Sequence, residues 1–145
     1  MNLRLFGAVA VGAVLACQGE PLAPSTSGGL TLSLALSSVQ LQRGESDSIA
    51  VSLTNRNRNA VSLSAGGCPL LFYVTDARGA TVVPSGGDWI CIAIISRIIL
   101  APGAQQTQTF LWETHAVPPG RYAVFGMFVA DGIRLATTRA AVDVN

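Results

Sequence analysis

LTLSLAL at residues 30–36 and DSIAVSLTN at residues 47–55 decide how the rest of the chain is read. In the first, Leu30, Leu32, Leu34 and Leu36 alternate with small or polar residues. In the second, Ile49, Val51 and Leu53 alternate with Ser48, Ala50, Ser52 and Thr54. Strict alternation puts the apolar side chains on one face of an extended chain, as a strand with one face on a core and the other toward water requires. The run NRNRN at 55–59 then stops the second segment with turn formers. Working outward, further strands are predicted at 60–64, 70–75, 80–83, 98–100, 107–113, 121–129 and 133–144. Gly66-Gly67, Arg78-Gly79, Gly86-Gly87, Pro102-Gly103, Pro119-Gly120 and Asp131-Gly132 punctuate them.

Short strands with turn signals at roughly 8–12-residue spacing indicate an all-β fold, an immunoglobulin-like antiparallel β-sandwich of about seven to eight strands. Beyond the N-terminal leader, no window of eleven or more residues keeps apolar residues at helical spacing free of breakers. The stretch ICIAIISRIIL at 90–100 has two readings. It is either a core segment pinned by Cys91 and turned at Ser96-Arg97, or an apolar patch that receives a partner.

The chain has 145 residues, which suits one domain, with 50% hydrophobic and 12% charged residues. All nine basic residues are arginines, against eight acidic ones, and the formal charge is +1. Without a positive field to hold a polyanion, nucleic-acid binding is not expected.

Residues 1–16 place Arg4 ahead of an apolar run from Leu5 to Ala16, the layout of an export signal and too short to span a bilayer, which needs about 20 residues. The run ends in Val14-Leu15-Ala16-Cys17, which resembles the lipobox of bacterial lipoproteins. The resemblance implies lipidation at Cys17, and Gln18 after it implies the outer membrane as the site of a lipid anchor in the cell envelope. Residues 17–29 then comprise the lipidated cysteine and a Pro/Ser/Gly-rich flexible tether, and 30–145 the domain. An oxidising compartment allows disulfides. With Cys17 assigned to lipid, Cys68 and Cys91 are expected to be bridged, stabilising the fold by roughly 3 kcal/mol; the alternative is two buried free thiols.

No catalytic, cofactor-binding or metal site is expected. His115 is the single histidine, and its setting between Glu113 and the Pro118-Pro119 pair reads as an exposed loop rather than a base or ligand. Asp76, Asp88, Glu113 and Asp131 are carboxylates without a pairing motif, Asp76 and Asp131 reading as turn residues. Glu45 and Asp47 belong to no calcium-loop pattern. Trp112 reads as a core plug, whereas Trp89, after a glycine pair, is open to either core or ligand stacking.

Ser52-Leu53-Thr54-Asn55, Phe72-Tyr73-Val74-Thr75-Asp76 followed by Gly79, Leu100-Ala101-Pro102-Gly103, Trp112, and Pro119-Gly120-Arg121-Tyr122 occur in this order. The series resembles the BsuPI-like family of bacterial domains related to an intracellular proteinase inhibitor, over about residues 48–130. Asn55 can close a turn with its amide, and Tyr122 resembles the tyrosine whose hydroxyl ties a sandwich corner to nearby backbone. The resemblance implies a sandwich of about eight strands and protease inhibition, although the export leader and the cysteine pair depart from an intracellular target. The chain therefore reads as a lipid-anchored, non-catalytic protein-interaction module of the cell envelope. Its partner is an unidentified protein, or a protease if it acts as an inhibitor.

Overall fold

A computed structural model describes residues 24–145; the leader, Cys17 and Gln18 lie outside the described residues. In chain order the strands are β1 (Ser25–Ser27), β2 (Leu30–Leu36), β3 (Gln40–Leu41), β4 (Ser46–Asn55), β5 (Val61–Ala65), β6 (Leu70–Thr75), β7 (Thr81–Val83), β8 (Ser96–Leu100), β9 (Gln105–Glu113), β10 (Gly120–Ala130), β11 (Ile133–Ala136) and β12 (Ala140–Val144). A 3-10 turn, Thr114–Ala116, follows β9.

The strands build the immunoglobulin-like β-sandwich that the alternation predicts. One sheet has the order β1-β2-β4-β9, and the other has β3-β12-β10-β6-β7 with β11 also paired to β10. The described pairs are antiparallel except the two-residue pairing of β3 with β12. Leu30, Leu32, Ile49, Val51 and Leu53 of the first sheet and Phe72, Val74, Val124, Phe128 and Val142 of the second are almost fully buried. Gly126 lets the sheets approach here, because a Cβ on it would stand 2.8 Å from Val51 Cγ1.

A separate ribbon of β5 and β8 closes one end. Asn55 ties it to the first sheet: the buried amide Nδ2 donates to the carbonyls of Leu100 (2.9 Å), Asn59 (2.9 Å) and Ala101 (3.3 Å), while Oδ1 accepts from the Asn57 N–H (2.9 Å). Asp131 ties it to the second. Its Oδ2 accepts the Ser64 N–H at 2.6 Å, and its own N–H donates to the Ser64 carbonyl at 3.0 Å. We call this the Asn55 end. At the other end Tyr122 donates its hydroxyl to the Pro118 carbonyl at 2.5 Å and packs edge-on against Trp112.

Three features differ from the sequence expectation. Ser25–Ser27, read as tether, pairs with the start of β2, so the ordered sheet begins before residue 30. The pairing is carried by backbone groups, which a Ser/Thr-rich composition does not reveal. The predicted strand 133–144 is two strands broken at residues 137–139. There the Thr137 N–H donates to the Gly126 carbonyl and its hydroxyl accepts the Gly126 N–H, so side chain and backbone replace a ladder step. The short β3 has no alternation to give it away.

Candidate interaction surface

β9 ends the first sheet, and no described strand pairs with its outer side. The Asn55 N–H donates to the Ala104 carbonyl and the Thr114 N–H to the Glu45 carbonyl. Between those points the alternation of an antiparallel ladder turns the main-chain groups of Gln105, Thr107, Thr109, Leu111 and Glu113 away from β4. From Gln105 to Leu111 this edge carries no charge and no proline, the devices by which sheet edges are usually blunted.

Beside the edge runs a seam between the two sheets, and Trp89 sits in it. Its indole N–H donates to the Phe72 carbonyl at 2.7 Å, and its ring lies 5.3 Å from that of Phe72 and 6.1 Å from that of Phe110. The side chain is half-buried: it packs on the core, and its remaining surface forms a wall of the seam. On one side of it is a depression of about 290 Å³ bordered by Pro69, Leu71, Gln106, Gln108 and Phe110. On the other is one of about 700 Å³ bordered by Val82, Val83, Leu111, Val117 and Pro118. Trp112, by contrast, is a core plug, 2% exposed.

Cys68 and Cys91 are bonded, with Cα atoms 5.6 Å apart, as the pairing of the remaining cysteines predicts. The bridge holds the segment from Trp89 to Ser96 against the turn before β6. Gly67 permits this, since any side chain there would overlap the Ile92 carbonyl. The expectation of a core segment at 90–100 fails for its first half. Ile98 and Leu100 are buried, but Ile90 is 100%, Ile92 68%, Ile94 51% and Ile95 88% exposed. The physical reason is that Trp89 already fills the seam, and Cys91 commits the following residues to the outside.

The acidic residues do not converge. Asp76 Oδ1 accepts the N–H groups of Arg78 and Ala80 within a turn, Asp131 serves the ribbon, and Glu45 accepts the Gln42 N–H. The fully buried Asp47 accepts the backbone N–H groups of Ser37 and Ser38, each at 3.0 Å, and the Ser37 hydroxyl. Asp88 is exposed. His115 is exposed and lies 3.5 Å from Glu113. Among the described residues no three His, Cys, Asp or Glu side chains are grouped to hold a metal. An open depression of about 470 Å³ gathers Arg78, Arg121 and Arg139, but Arg121 is paired with Asp143 and Arg139 lies over the Phe125 ring. Burial, and secondarily the nearby Asp76 charge, pushes the Tyr122 hydroxyl above its ordinary pKa, consistent with its role as a donor. The sequence marks Trp89, Cys68 and Cys91; the open edge at β9 depends on sheet order, for which no local signal exists.

No protein-family model and no curated protein matches the chain by sequence. Solved structures share its fold. The sporulation control protein Spo0M from Bacillus subtilis superposes with a TM-score of 0.53 at 13% identity, over 82% of this chain and 50% of that one. The β-glucosidase EmGH1 from Erythrobacter marinus gives 0.50 at 12% identity, over 83% of this chain and 16% of that one. The CARDB domain of PF1109 from Pyrococcus furiosus gives 0.48 at 13% identity, over 88% and 95%. The chain thus spans a small part of the glucosidase and half of Spo0M. At these identities the likeness to Spo0M and EmGH1 is one of fold.

Proposed function

We propose that this chain is a lipid-anchored, non-catalytic binding module of the cell envelope, which takes an extended segment of a partner protein along β9. The observation that carries the reading is the free edge of β9, uncharged from Gln105 to Leu111 and flanked by the two depressions around Trp89. An added strand would bond main chain to main chain along Gln105–Glu113, and its alternate side chains would enter the depressions, one source giving affinity and the other selectivity. The leader, Cys17 and the short stretch to Ser25 support placement of the domain at a membrane.

Two measurements test this. The intact mass of the native protein is expected to begin at Cys17 with an added acyl mass; a full-length unacylated chain would refute the anchor. Extended decapeptides selected from a displayed library are expected to bind the protein and to lose binding to a Thr107→Pro/Thr109→Pro variant. Proline at these positions removes outward N–H groups but no main-chain bond to β4, so the fold should survive, as circular dichroism would verify. Peptides that bind the double variant equally well would refute the edge.

A further inference from the structure

The isoleucine loop belongs to the Asn55 end of the sandwich, since the ribbon joins Asn55 to Asp131 and the Cys68–Cys91 bridge fixes the loop just beyond the ribbon. From Trp89 to Ser96 it contains no charged residue. Such a run, held outward by a covalent bond and not folded back onto the core, needs an occupant that accepts aliphatic side chains. We infer that it is a membrane-docking tip: Ile90, Ile92, Ile94 and Ile95 enter the interfacial layer of the bilayer that carries the Cys17 anchor. This inference rests on the anchor reading given above.

Two further observations select a bilayer over a protein. The first is charge. Arg56 and Arg58 in the loop after Asn55, and Arg97 directly after the isoleucines, are exposed and have no ion pair among the described residues. The Asp131 carboxylate at this end is engaged by the Ser64 N–H. Arg97 adjoins the isoleucines, and Arg56 and Arg58 lie on the same end beside the β1–β2 turn. Besides Asp131, the exposed Asp88 before Trp89 is the one carboxylate set against them among the described residues. An apolar tip on an end with this excess of guanidinium groups matches acyl chains beneath anionic headgroups. The second is reach. Ser25 pairs with Leu32, and Leu32 with Leu53, two residues short of Asn55, so the chain enters the domain about 7 Å below that end. The seven steps from Cys17 to Pro24 span at most roughly 25 Å, so an acylated Cys17 and the tip can meet one bilayer surface. A tether this short also keeps the tip at high local concentration against that surface. The disulfide lowers the ordering cost of docking by fixing the loop beforehand.

The test uses the full chain as cells produce it, with Ile95→Trp as reporter, on vesicles of phosphatidylcholine and phosphatidylglycerol with brominated acyl chains. The expected result, read as the difference between this variant and the unsubstituted protein with its Trp89 and Trp112, is an added blue-shifted emission that loses about half its intensity to the bromines. In the unsubstituted protein, amide exchange across residues 88–96 should slow by about tenfold on vesicles, and an Ile94→Asp/Ile95→Asp variant should lose that protection. These side chains are exposed, so the fold tolerates both variants. Unchanged emission, or protection that survives the aspartates, overturns the proposal. The mass of the same sample separates the two readings: an acylated chain with an unquenched reporter defeats the tip and leaves the anchor standing. An unacylated chain defeats the anchor, and quenching or its absence then decides the tip alone.

Discussion

Replacing Asn55 probes the junction on which the ribbon hangs. The side chain is fully buried and engages both of its ends: two amide hydrogens shared among the carbonyls of Asn59, Leu100 and Ala101, and Oδ1 on the Asn57 N–H. Asn55→Ala removes about three net bonds at roughly 1 kcal/mol each and leaves carbonyls without a donor, for a loss of about 3–4 kcal/mol. Asn55→Asp keeps the shape but sets a carboxylate oxygen against those carbonyls, so near neutral pH it should cost more than alanine, about 4–5 kcal/mol. Acid protonates the new carboxyl and restores one donor, so the aspartate variant should recover relative to the alanine variant as pH falls toward about 4. Urea unfolding followed by tryptophan fluorescence, near neutrality and at that acid pH, measures both differences. A loss under about 1 kcal/mol for alanine, or aspartate and alanine variants that respond alike to pH, would refute the assignment of Asn55 as the tie between ribbon and sheet.

Tyr122→Phe should cost about 1–2 kcal/mol, by orphaning the Pro118 carbonyl at the far end. Since burial raises the folded-state pKa of this phenol, its contribution is complete below the unfolded value near 10 and fades as pH rises through the higher folded value. Wild type should therefore lose stability in strong alkali more steeply than the phenylalanine variant, as unfolding at about pH 9 and about pH 11 would reveal. Cys68→Ser/Cys91→Ser opens a loop of sequence separation 23 and should cost about 3 kcal/mol, read by the same unfolding curves. Gly126→Ala forces a methyl into Val51 and should cost about 1–3 kcal/mol; a neutral effect would mean that the sheets can part there without penalty.

The strands most legible in the sequence are those whose apolar residues alternate with small or polar ones, although Thr31, Ser52 and Thr54 on the second face are themselves buried. Leu30–Leu36 lies at the expected bounds because its neighbours are small or polar, and the same holds for Ser46–Asn55 to within a residue. Turn residues are legible for the same local reason: Asp76, directly after the last residue of β6, closes its turn through the backbone N–H groups of Arg78 and Ala80. What composition does not convey is long-range. Hydrophobicity alone makes 90–100 look like core, because it does not register that Trp89 takes the seam and that a disulfide turns the next residues outward. Likewise QQTQT at 105–109 is an ordinary polar strand until sheet order leaves it at an edge. Site features that depend on which element ends next to which are set by topology.

The pairing of β4 with β9 places Thr54 opposite Gln105 and Ser46 opposite Glu113, so roughly half of the domain's sequence must be threaded before the first sheet has its last strand. Closing so large a loop precedes any reward from the contacts it brings, and chains built on such pairings fold in milliseconds to seconds where local folds take microseconds. During that interval the far side of β4 is itself an open edge, and the isoleucine run is exposed as well. Refolding yield should therefore fall as protein concentration rises, and a carrier that shields both stretches until residue 113 has emerged would suit this chain better than rapid release.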